Sequence, residues 1–110
     1  MIEIECQISI RKNGIPFLTP LKTQLLKEIR LNGSLSRAAK KMKISYQHVW
    51  VLIDEMNRIS PLPLVLKQRG GANGGGTFVS DYGDRMLREY NEIQNEIKKV
   101  VEQINIEINL

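Results

Sequence analysis

Between Gly33 and Ile53 the apolar residues fall at the spacing of two short helices closed on each other by a tight turn. Ala38, Ala39 and Met42 give the first helix a small-residue face, Ile44 plugs the turn, and Val49, Leu52 and Ile53 continue the stripe on the second. The same stretch carries Arg37, Lys40, Lys41 and Lys43 and no carboxylate. A compact cationic helix-turn-helix suits a phosphate backbone and one groove of a duplex, so this segment constrains fold and partner together.

The flanking residues predict the rest of the domain. Ile2, Ile4, Cys6, Ile8 and Ile10 alternate with polar residues, the period of a half-buried strand. Asn13-Gly14 is a favoured two-residue hairpin turn, and Ile15-Pro16-Phe17-Leu18 returns as a short edge strand that tolerates Pro16. Thr19-Pro20 then caps a helix with Leu21, Leu25, Leu26 and Ile29 on one face, stopped at Asn32-Gly33. Ser34 or Leu35 opens the next helix, which ends near Lys43. Ser45 caps a third that runs to about Ser60, with Val49, Leu52, Ile53, Met56 and Ile59 inward, until Pro61 and Pro63 end it.

Leu64-Val65-Leu66 and Thr77-Phe78-Val79 bracket a glycine-rich loop, Gly70, Gly71, Ala72, Asn73, Gly74, Gly75 and Gly76. Together they read as a β-hairpin wing whose loop backbone can come close to whatever it meets. Ser80 caps a final helix in which Met86, Tyr90, Ile93, Ile97, Val100 and Ile104 step as a heptad seam. That seam either packs on its own domain or joins two copies of the chain; the acidic outer face favours the second. Ile104, Ile106, Ile108 and Leu110 also alternate like a strand, so the helix is expected to end either near Gln103 or near residue 108.

The expectation is therefore a mainly α protein with a small β component. It is one winged helix-turn-helix domain over 1–110: an N-terminal strand and hairpin (1–18), a three-helix core (20–60) holding the helix-turn-helix (34–60), a wing (64–79) and a long dimerisation helix (80–108). Composition adds little: 42% hydrophobic and 25% charged residues are ordinary for a globular chain. The start, MIEIECQISI, lacks the pattern of a signal peptide, and no apolar run has the length of a membrane span. The lone Cys6 has no disulfide partner, and no Cys/His cluster has metal-ligand spacing. A cytoplasmic protein with no cofactor is expected.

Charge is divided along the chain. Residues 33–79 set Arg37, Lys40, Lys41, Lys43, Arg58, Lys67 and Arg69 against Asp54 and Glu55, a balance of +5. Residues 80–110 set Arg85, Arg88, Lys98 and Lys99 against Asp81, Asp84, Glu89, Glu92, Glu96, Glu102 and Glu107, a balance of −3. A basic middle beside an acidic end separates polyanion binding from another task.

With that order of elements in place, GSLSRAAKKMKISYQHVWVLIDEMN, the wing GGANGGG and the following SDYG resemble the DNA-binding region of the ModE family of molybdate-responsive transcription regulators. More distantly they are similar to the helix-turn-helix of LysR-type regulators. The resemblance spans roughly residues 8 to 100. Its most specific elements are Ile44-Ser45-Tyr46 with Trp50, Ile53-Asp54-Glu55-Met56-Asn57, and the glycines from Gly70 to Gly76. It implies sequence-specific operator binding as a homodimer, with the long last helix contributing to the dimer. Family members carry further domains that bind molybdate, and none is expected within these 110 residues; double-stranded DNA, a second copy and a separate effector protein are the expected partners. Lys43 stands where many such turns have glycine, and Asn73 where related wings can have lysine.

A recognition helix presents its first turn to base edges, which assigns Ser45, Tyr46, Gln47, His48 and Val51 to the groove. Gln47 suits a bidentate contact to adenine, Val51 a thymine methyl, and Ser45 is read equally as a simple N-cap. Trp50 is expected against the wing or the first helix. Arg37, Lys40, Lys41, Lys67 and Arg69 are expected phosphate contacts, which set affinity and its salt dependence while base contacts set specificity. A competing class is a protein-interaction module on a winged-helix scaffold. An enzyme has little support, because the glycine loop lacks the Gly-Lys-Ser/Thr ending of a P-loop and no acid/base pair or activated nucleophile is visible.

Overall fold

The computed structural model describes residues 2–67 and 76–108. Its elements in chain order are β1 (Ile10–Lys12), β2 (Ile15–Leu18), α1 (Pro20–Asn32), α2 (Leu35–Met42), α3 (Tyr46–Ile59), β3 (Val65–Lys67), β4 (Thr77–Val79) and α4 (Asp81–Glu107). This is the winged helix-turn-helix read from the sequence, with two antiparallel two-stranded sheets: β1 with β2, and β3 with β4.

Local chemistry sets most boundaries. Asn13 and Gly14 both take positive φ, as a two-residue hairpin turn requires. Hydroxyls of Thr19, Ser34, Ser45 and Ser80 accept the N–H groups of Lys22, Arg37, His48 and Gly83, so one serine or threonine caps the start of every helix. Gly33 ends α1 in the left-handed region, its N–H donating to the Ile29 carbonyl at 2.8 Å. Lys43 ends α2 in the same region, at φ 57°, a conformation that costs a side-chain-bearing residue about 1–2 kcal/mol.

The core gathers Phe17 and Leu18 of β2, Leu25, Leu26 and Ile29 of α1, Leu35, Ala38 and Ala39 of α2, and Val49, Leu52, Ile53 and Met56 of α3. Leu64, Val65, Leu87 and Tyr90 close it from the wing and α4. Gly83 lets the first turn of α4 lie directly on the wing root: a Cβ there would stand 2.3 Å from the Leu64 carbonyl oxygen and 2.7 Å from Val79 Cγ1.

Three expectations are corrected. Residues 2–9 form no strand ladder; they run extended beside α4, where side-chain amides replace a partner strand. Gln94 accepts from Ile8 N and donates to the Cys6 carbonyl, and Asn105 does the same for Ile4 N and the Ile4 carbonyl, at 2.7–3.0 Å. Residues 2–7 are exposed, so the alternation marks an arm rather than a half-buried strand. On α1, Leu21 stays 36% exposed while Lys22 and Thr23 are buried. In α4, Tyr90 and Leu87 belong to the core of the protomer itself, and the Tyr90 hydroxyl donates to the Ile8 carbonyl at 2.7 Å. Of the two ends left open for α4, the structure has the later one: the helix continues past Gln103 to Glu107, because Ile108 N still finds the Ile104 carbonyl at 2.8 Å.

Candidate nucleic-acid interface

The helix-turn-helix is closed by the turn at Lys43. Lys43 N donates to the Lys40 carbonyl and Ile44 N to the Ala39 carbonyl, at 3.2 and 3.1 Å, and Ile44 packs against the core. Burial of Leu35, Ala38 and Ala39 turns the opposite face of α2 outward, which exposes Arg37, Lys40 and Lys41. Burial of Val49, Leu52, Ile53 and Met56 does the same for α3. Tyr46 (47% exposed) and Val51 (52%) lie in solvent with Ser45, Gln47 and His48. All five residues assigned to base edges are thus exposed, at the N-terminal cap or in the first two turns of α3. That end also presents the positive pole of the helix, which favours an anion.

Ser45 does act as the N-cap: its Oγ accepts from His48 N at 3.0 Å. Trp50 is half-buried beside the wing root, with Lys67 Nζ 5.4 Å from its ring centroid and the Tyr46 ring edge-on at 6.3 Å. Lys67 is exposed at the end of β3, so its cation is carried on an aromatic platform at the edge of the α3 surface. Arg69, Gly70, Gly71, Asn73, Gly74 and Gly75 lie outside the described residues. Gly76 lies within them, and beside it Thr77 N donates to the Gly33 carbonyl at 3.4 Å, joining the wing to the start of the helix-turn-helix.

Two positioning groups escaped the sequence reading. Asn57 Oδ1 accepts from Leu64 N at 2.8 Å, while its Nδ2 donates to the Val65 carbonyl at 3.2 Å. The side chain thereby fastens β3 to α3 and fixes the wing against the helix. Lys22 is the other. Its side chain is only 4% exposed, and Nζ donates to the Pro16 carbonyl at 2.9 Å and pairs with Glu55 Oε2 at 3.0 Å. No sequence period announces a buried lysine; a tertiary partner on another helix is what makes its burial tolerable.

Of the proposed dimerisation seam, Met86 packs on the core and Tyr90 is consumed by it. Ile97 is half-buried, and Ile93, Val100 and Ile104 are 45%, 58% and 43% exposed. The apolar face left open is therefore the distal half of α4. Among the described residues, no group of three acidic, His or Cys side chains is placed to hold a metal ion, and no helix is long and apolar enough to cross a membrane.

The fold is shared with Lactococcus lactis ZitR, a point mutant of which superposes with a TM-score of 0.58 at 12% identity, over 97% of this chain and 73% of that one. No family model matches the chain. Relatives do. Over 94 residues it is 39% identical to the transcriptional regulator ModE of Haemophilus influenzae, covering 86% of this chain and 37% of the relative. The molybdenum transport protein ModE of Azotobacter vinelandii is 37% identical over 84% of this chain and 34% of its own length. The DNA-binding transcriptional dual regulator ModE of Escherichia coli is 37% identical over 81% and 34%. The chain thus spans about a third of the length of these relatives. With the helix-turn-helix, wing and long helix in the predicted order, and relatives of one name aligned over more than four-fifths of it, the chain belongs to the ModE family.

Proposed function

We propose that this chain is a DNA-binding transcription regulator that occupies an inverted-repeat operator as a homodimer. Tyr46, Gln47, His48 and Val51 read base edges in the major groove. Arg37, Lys40 and Lys41 contact phosphates beside it, and Lys67 with the wing reaches the adjacent backbone. The distal seam of α4, Ile93, Ile97, Val100 and Ile104, pairs the two copies. The role is one of binding and not of catalysis. What supports it above all is that Arg37, Lys40 and Lys41 of α2 and Ser45 to His48 at the start of α3 are exposed on either side of one tight turn, while Lys67 stands on Trp50 and Trp50 against Tyr46.

Selection of duplexes from a random pool tests this reading. Recovered sites with two inverted half-sites about one helical turn (~34 Å) apart are expected. On such a site Gln47→Ala should cost roughly 1–3 kcal/mol and relax the preference at one position. Recovery of no common sequence, with duplex binding absent at low salt, would reject the proposal and favour a protein-interaction module.

A further inference from the structure

The pairing of Lys22 with Glu55 has no evident stability rationale. Replacing a buried ion pair by apolar groups is often neutral or stabilising, and half of this pair, Glu55, is 48% exposed. Its location is more telling. Glu55 lies seven residues beyond His48 and four beyond Val51, so the three side chains project from one side of α3. A free carboxylate there would confront the same polyanion that His48 and Val51 are assigned to meet. Lys22 reaches that carboxylate from behind, from α1, with its ammonium anchored on the Pro16 carbonyl of β2.

We propose that Lys22 is a positioning residue for the interface: its buried ammonium neutralises the Glu55 carboxylate and holds it back, so that the His48–Val51 face enters the groove of the polyanion without an unpaired negative charge. The inference rests on the DNA-binding reading above. It also explains why the position holds a lysine where an apolar side chain would pack: the charge serves recognition, and its burial is made tolerable by the carbonyl and the carboxylate together.

The test measures binding of the full chain to a duplex recovered by selection, across a range of salt. Lys22→Met keeps the stem and removes the charge, and is expected to weaken binding about five- to tenfold at low salt, the deficit shrinking as salt rises. Adding Glu55→Gln to that variant should restore affinity to within about twofold, which repair of a folding defect alone would not do. Should Lys22→Met fail to fold, Glu55→Asp serves at an exposed position: it keeps the charge but draws it out of contact with Nζ. Glu55→Asp should lose affinity where Glu55→Gln does not. Wild-type affinity in a folded Lys22→Met or in Glu55→Asp would overturn the inference while leaving the functional reading intact. A wild-type chain that binds no duplex would overturn both.

Discussion

Replacing Gly83 with alanine sets two effects of opposite sign against each other. Within a helix, alanine is favoured over glycine by up to about 1 kcal/mol, so an unobstructed site would gain stability. At Gly83 the new methyl would stand 2.3 Å from the Leu64 carbonyl oxygen, 2.7 Å from Val79 Cγ1 and 3.1 Å from the Leu64 carbonyl carbon. Two of these three atoms are backbone, so relief requires the first turn of α4 to lift from the wing root. Overpacking typically costs 1–3 kcal/mol, and a backbone clash belongs near ~3. The net expectation is a loss of about 2 kcal/mol, which lowers Tm by roughly 8–16 °C in a domain of this size. Thermal unfolding followed by circular dichroism gives the value. Hydrogen exchange at Ser80, whose N–H donates to the Leu64 carbonyl at 2.9 Å, should also accelerate. An unchanged or raised Tm would show that the close approach of α4 to Leu64 is not what requires glycine there.

Lys43→Gly should stabilise the domain by about 0.5–1 kcal/mol, since relief of the left-handed strain exceeds the added chain entropy; the urea midpoint reports it. Asn57→Ala should cost about 2–3 kcal/mol in the same assay, because Leu64 N and the Val65 carbonyl lose their partner, and Asn57→Asp, which keeps the acceptor, should cost less. Lys67→Ala should reduce the magnitude of the salt slope of DNA binding by about one and weaken all sequences alike. It should also shift Trp50 fluorescence, because the ammonium leaves the ring.

Why some features were legible and others not follows from the range of the forces involved. Caps, turns and stops are local: Thr19, Ser34, Ser45 and Ser80 each accept an N–H three residues on, Asn13-Gly14 turns through its own positive φ, and each stands where its spacing placed it. The exposed faces of α2 and α3 were equally readable, because burying one side of a helix dictates the other. Lys22 and Leu21 exchanged places because Glu55 and Pro16, remote in sequence, supply what a buried ammonium needs. The arm was mistaken for a strand because alternation reports extended backbone and is silent on whether a strand or a row of side-chain amides receives its hydrogen bonds. Tyr90 fits a heptad seam and a core equally well; only the path of residues 8–10 decides which one takes it.

Leu64 sits at a crossing of three elements, its N–H held by Asn57 of α3 and its carbonyl taken by Ser80 at the head of α4. One residue thus acts as a common hub: a swing of the long helix would drag the hairpin root and α3 with it. Two protomers clasped at the far ends of their α4 helices would then behave as a stiff caliper. The gap between their tips would be fixed by protein geometry, and an operator with a few base pairs inserted at its centre would have to twist to be gripped.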